Sequence, residues 1–213
     1  MESNMESRVT QCRHERQGWV LCVRRWHNPH GAGSLIALHG AGVAGELTFA
    51  PMLPQLQGYR DVWVPDLYGA GDSVHEHGEM PFEITDLVEH LLEFTSDNNI
   101  QDYDLIGYSF GGLVAMMVAQ HPQARRLVLV EPALMESLSW ADTMARRARY
   151  VDATAPLLAG LDPVQAVSAF LDIVSPMRSR HPRVESRVVA RLAHRPLGLA
   201  YALEAVGRHA QRL

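Results

Sequence analysis

Cysteine, long apolar stretches and a basic surplus are all scarce in this sequence, and each shortage removes a class of protein. Two cysteines, Cys12 and Cys22, are too few for a disulfide framework. They flank a turn expected at Gln17-Gly18, where a disulfide could close, but a reduced pair and a cytoplasmic location are the expectation. No run of about 18 apolar residues occurs, and Met1 to Glu15 lacks an apolar signal-peptide core, so neither membrane insertion nor export is expected. The net charge is −5 and the arginines are scattered, with only Arg146, Arg147 and Arg149 grouped, which argues against a nucleic-acid partner. With 47% hydrophobic and 20% charged residues over 213 positions, one globular domain with its own core is expected.

Short apolar runs alternate with segments of helical character. Arg13 to Trp26 reads as a hairpin or two edge strands about Gln17-Gly18. Ser34 to Leu38, Asp61 to Val64 and Tyr103 to Ile106 read as buried strands, and Leu127 to Val130 as a fourth such run. Between them, Gly45 to Leu56 forms a short helix interrupted by Pro51 and Pro54, and Phe82 to Phe94 puts Phe82, Leu87, Leu91 and Phe94 on one helical face. Leu113 to Gln120 is a further helix stopped by Pro122. The alternation implies an α/β fold, a mostly parallel, doubly wound sheet with helices on both faces. After Pro132 the texture becomes helical over Met135 to Tyr150, Pro163 to Ile173 and Val184 to Ala210, with breaks near Pro156, Gly160, Pro176, Pro182 and Pro196. Residues 1–132 are therefore read as the core and 133–213 as a helical cap of the same domain.

Three of the strands run into loops that carry chemistry. Gly107-Tyr108-Ser109-Phe110-Gly111 joins a strand to a helix, and glycines flanking a serine let the backbone turn sharply enough to lift the hydroxyl above the sheet edge. A glycine-serine pattern alone also fits an ordinary turn. Support comes from His39-Gly40-Ala41-Gly42 after Leu38 and from Asp66 to Ser73 after the next strand.

With these loops in place, residues Gly18 to Glu131 resemble the α/β-hydrolase family, in the branch of small-molecule esterases, C–C hydrolases, epoxide hydrolases and dehalogenases. The resemblance implies that Ser109 is the nucleophile and that the N–H groups of Ala41 and Phe110 form the oxyanion hole. Asp66 to Ser73 is similar to the family's Asp-x-x-Gly-x-Gly-x-Ser loop, which shapes the floor of the site. Dehalogenases and epoxide hydrolases of this fold carry aspartate at the elbow, so serine favours an ester, a thioester or a C–C bond of a small apolar substrate. In the family the acid and then the histidine follow the serine late in the chain, and no apolar strand-like run follows Glu131. The C-terminal core strands are therefore expected to be absent.

Glu131, 22 positions after Ser109, is a reserve choice for the acid, although Glu-Pro more simply ends a strand. His181, His194 and His209 follow the elbow but fall in the helical region, where surface or packing roles are the commoner ones. His39 is read as bracing the oxyanion loop, and His121 as a helix-terminal residue. His75, His77 and Glu79 read as a solvated loop rather than a metal cluster, so no metal and no cofactor are expected. Leu157, Leu158, Phe170 and Leu171 of the cap either face a pocket or pack its interior. An open sheet edge would favour a homo-oligomer or a complementing chain. The alternative to a serine hydrolase is a non-catalytic binding or interaction protein that keeps the elbow.

Overall fold

The computed structural model describes residues 8–178 and 181–209. Strands β1 (Arg8–Arg16) and β2 (Trp19–His27) form a hairpin through Gln17 and Gly18, whose φ angles of 49° and 80° suit the twist of the paired strands. Cys12 lies opposite Val23 and Cys22 opposite Arg13, and both thiols are free. The chain continues through β3 (Ser34–Leu38), α1 (Gly45–Phe49), a 3₁₀ turn (Ala50–Gln55), β4 (Asp61–Pro65) and β5 (Val74–His75). It then forms α2 (Ile84–Asp97), β6 (Tyr103–Tyr108), α3 (Phe110–Val118) and β7 (Ala124–Val130). The sheet order is β1-β2-β4-β3-β6-β7, with β5 beside β2. Pairing is parallel from β4 to β7 and antiparallel at β1, β2 and β5.

Burial explains the central strands. All five residues of β4 and four of five in β3 are buried, as strands covered on both faces require. Leu87, Leu91 and Phe94 of α2 turn inward, and Phe82 packs with them from just before the helix instead of within it. The fourth run behaves differently. β7 pairs with β6, yet Leu127, Val128, Leu129 and Val130 are 37–53% exposed, because among the described residues β7 has one neighbouring strand and lies at the end of the sheet.

The cap comprises α4 (Trp140–Leu158), α5 (Pro163–Val174), α6 (Pro182–Leu192) and α7 (Pro196–Arg208); residues 210–213, expected to extend the last helix, lie outside the described residues. α4 starts at Trp140 rather than Met135 because Ser139 caps it, its hydroxyl accepting the Asp142 N–H at 3.0 Å. Pro156 does not break α4: buried Ala153 and Leu157 anchor its last turn against α5. Pro163, Pro182 and Pro196 instead open helices, where a missing N–H is harmless. Leu157, Phe170 and Leu171 pack the interior of the cap, whereas Leu158 is 40% exposed.

Helix α7 belongs to two cores at once. Ala202, Ala205 and Val206 join the main cluster around the sheet, while Leu199, Ala200 and Leu203 join the cap cluster. It approaches the loop after β4 backbone to backbone: a Cβ on Gly198 would strike the carbonyl of Gly69, itself at φ +78°.

Candidate functional site: the turn at Ser109

Ser109 sits between β6 and α3 with φ 51° and ψ −117°, a conformation that costs a non-glycine residue about 1–3 kcal/mol. Its neighbours hold it there. The Ser109 N–H donates to Val130 O at 3.0 Å, and its carbonyl accepts the N–H groups of Gly112 and Ala133, both at 2.9 Å. Gly111 must lack a side chain, since a Cβ would collide with the carbonyl oxygens of Leu38 and His39. The Gly111 N–H donates to His39 O at 3.0 Å, stitching the turn to the loop after β3.

That loop reaches the serine directly. A Cβ on Gly40 would lie 3.5 Å from Ser109 Cβ, and Ala41 follows. As the first residue of α3, Phe110 has no intrahelical acceptor for its N–H. Among the described residues, no hydrogen bond is made by the N–H of Phe110 or of Ala41. Fully buried His39 braces the loop: its Nδ1–H donates to Gly40 O and its Nε2 accepts the Leu67 N–H, each at 2.7 Å. Burial holds its pKa below the usual imidazole range, so this neutral tautomer persists.

The Asp66 to Ser73 loop is fixed by cations that the sequence reading did not single out. Arg24 reaches Asp66 at 2.8 Å, Asp72 at 2.7 Å and Glu46 at 3.0 Å. Arg195, just before α7, binds Glu79 at 2.5 Å and the carbonyls of Ala70, Gly71 and Ser73 at 2.6–3.0 Å. Their partners lie up to 125 positions away, beyond any local motif. Cys22, Asp66 and Asp72 bring ligand-type atoms within 4.8 Å of one another, and both carboxylates are bonded to the Arg24 guanidinium. Glu79 is held by Arg195, and His75 packs edge-on to Trp19 with the His77 ring 5.3 Å away.

From the same loop a hydrogen-bonded chain runs to the surface. The Tyr68 hydroxyl donates to His90 Nδ1 at 2.5 Å, His90 Nε2–H meets His14 at 3.1 Å, and His14 Nε2–H meets Asp97 at 3.0 Å. Asp97 can only accept, which fixes the donor direction along the relay. Burial, with the charge of Arg16 adding to it, lowers the pKa of His90 to about 4. Burial also raises the Tyr68 hydroxyl above the usual phenol range.

Among the described residues, the remaining candidates make no hydrogen bond to Ser109. Glu131 has φ 45° and an exposed side chain, although its neighbours Val130 and Ala133 clamp Ser109. His181 precedes α6, His194 follows it on the surface, and His209 ends α7. Among the described residues, the Ser109 hydroxyl has no side-chain hydrogen-bond partner. His121 closes the turn after α3, its N–H donating to Val118 O at 3.0 Å.

Comparison with known proteins agrees with this architecture. Over 105 residues the chain is 33% identical to the 2-hydroxy-6-oxo-2,4-heptadienoate hydrolase of Pseudomonas putida F1, a match covering 47% of this chain and 38% of that protein. Over 144 residues it is 32% identical to the magnesium-chelatase 30 kDa subunit of Rhodobacter capsulatus, covering 66% of this chain and 49% of that one. The chain thus spans less than half the length of either relative. The fold matches that of a hydrolase from Pseudomonas aeruginosa with a TM-score of 0.75 at 22% identity, over 93% of this chain and 72% of the other. A family model described as the alpha/beta hydrolase family matches residues 35–211, and with most of its length so matched, the chain belongs to that family.

Proposed function

We propose that the chain carries the nucleophile and oxyanion machinery of a serine hydrolase that acts on an ester, thioester or C–C bond of a small apolar substrate. One observation carries the reading: Ser109 is held in a strained turn against the loop that leads into Ala41, and among the described residues the N–H groups of Ala41 and Phe110 donate to no carbonyl. The Ser109 hydroxyl would attack the substrate carbonyl, its proton passing to a general base, while the two N–H groups receive the developing oxyanion. Each such donor is worth about 10²- to 10³-fold in rate. Residues 133–213 would form the cap that shapes the substrate's surroundings, and its relatives' names support a small organic substrate. The two free cysteines support a cytoplasmic setting.

A second reading has its own observation. No histidine among the described residues is hydrogen-bonded to Ser109, which favours a binding or interaction protein that keeps the turn without its base. A fluorophosphonate probe separates the two, because only an activated serine reacts rapidly. The hydrolase reading expects an adduct on Ser109, located by mass spectrometry and absent from Ser109→Ala, with the base supplied by a second chain or by movement of the cap that bears His181 and His194. A folded sample left unlabelled would overturn it in favour of the binding protein.

A further inference from the structure

A cavity of about 470 Å³ lies between α6 and the loops after β3 and β4. Ser109 is not among its lining residues, but Gly42 is, and Gly40 abuts the serine, so one short loop borders both. Its cations are Arg24, Arg187, Arg191 and Arg195, with His194 beside them. Against them stand only Glu46 and Asp72, in a molecule whose overall charge is −5.

The cations are not equivalent. Arg24 is saturated by Asp66, Asp72 and Glu46, and Arg195 by Glu79 and three carbonyls. Arg187 and Arg191 stand one helical turn apart on α6, so two like charges share a face and repel. Among the described residues neither they nor His194 has an ionic or hydrogen-bonded partner. The two carboxylates on the wall are bonded to Arg24 and make no ion pair with Arg187 or Arg191 among the described residues. Ala44, Leu47 and Ala190 give the remaining wall an apolar character.

We propose that this cavity is an anion-binding site for a small organic acid, with a carboxylate or phosphate held by the guanidinium forks of Arg187 and Arg191 and a short apolar body against Leu47. Planar guanidinium groups match these anions in paired hydrogen bonds, and the volume suits a ligand of metabolite size. The site stands independently of the role of Ser109.

Isothermal titration calorimetry with inorganic phosphate and with glutarate tests it. The wild-type chain should bind at least one of them with a Kd of about 1 mM or tighter, and Arg187→Ala/Arg191→Ala should weaken that binding by about tenfold or more. A control, Arg13→Ala/Arg183→Ala, removes the same charge from exposed positions outside the cavity and should leave Kd within about twofold. Arg187 and Arg191 are exposed, so melting temperatures should be unchanged, and Arg187→Gln/Arg191→Gln repeats the test if the alanine variant melts early. Preference for phosphate or for glutarate identifies the group that the site takes. No binding of either anion up to about 20 mM, or equal weakening in the control, overturns the proposal.

Discussion

His90 occupies a position that favours an uncharged ring. It is fully buried, accepts from Tyr68, donates to His14, and has its pKa lowered to about 4. In the unfolded chain an ordinary histidine takes up its proton near pH 6.5. Because the folded value is the lower one, the stabilisation is complete above about pH 6.5 and is lost as pH falls toward 4. Water reaches the far end of the relay at exposed Asp97, so a discounted loss of about 2 kcal/mol is expected. Buried His39, shifted the same way, adds to the slope with the same sign. Urea denaturation at several pH values between 7.5 and 4 should therefore show a shallower decline for His90→Gln than for the wild type. An identical slope in the two proteins would remove His90 from the account.

Among the elements, α7 is the most constrained. Gly198 meets Gly69 backbone to backbone, whereas Gly207, on the same helix, has open space where a Cβ would sit. Gly198→Ala should cost about 2–4 kcal/mol, since the clash cannot be relieved by turning a side chain. Gly207→Ala should instead stabilise by about 0.5–1 kcal/mol, through the better helix propensity of alanine. Denaturant midpoints for the pair would show whether contact or propensity governs the helix. This contrast also marks how far the sequence could be read. β3, β4 and β6 were legible because strands covered on both faces are mostly apolar, buried Asp61 and Asp104 being held by Arg25 and Arg126, and the turn at Ser109 because its glycines are demanded by local geometry. Elements set by distant partners were not legible. The exposure of β7 depends on what lies beside it, the persistence of α4 through Pro156 depends on where Leu157 packs, and the clamps of Arg24 and Arg195 join residues far apart in the chain. At the site, the sharp turn at Ser109 followed from the motif, while roles for Ala41, Phe110, Glu131 and the three late histidines could not be assigned by spacing alone.

At the scale of the whole molecule the sheet is asymmetric. The outer strand β1 exposes polar Gln11, Arg13 and Glu15, whereas β7 presents four apolar side chains with 37–53% exposure along an edge. Such an edge is a template for pairing with another strand. Sedimentation velocity should accordingly show self-association that rises with concentration, and Val128→Lys, which sets a charge on that edge, should reduce it; a wild-type chain that stays monomeric over the same range would contradict the expectation. The placement of α7 bears on timing as well as on form. Ala202, Ala205 and Val206 complete a core whose other members come from the preceding strands and helices, so during synthesis that core stays open until residue 206 has emerged. At cellular elongation rates the 76 residues from the end of β7 at Val130 to Val206 take about 4 to 15 s to add. For that interval the nascent sheet waits with its apolar face unroofed, the period in which a chaperone has most reason to hold it.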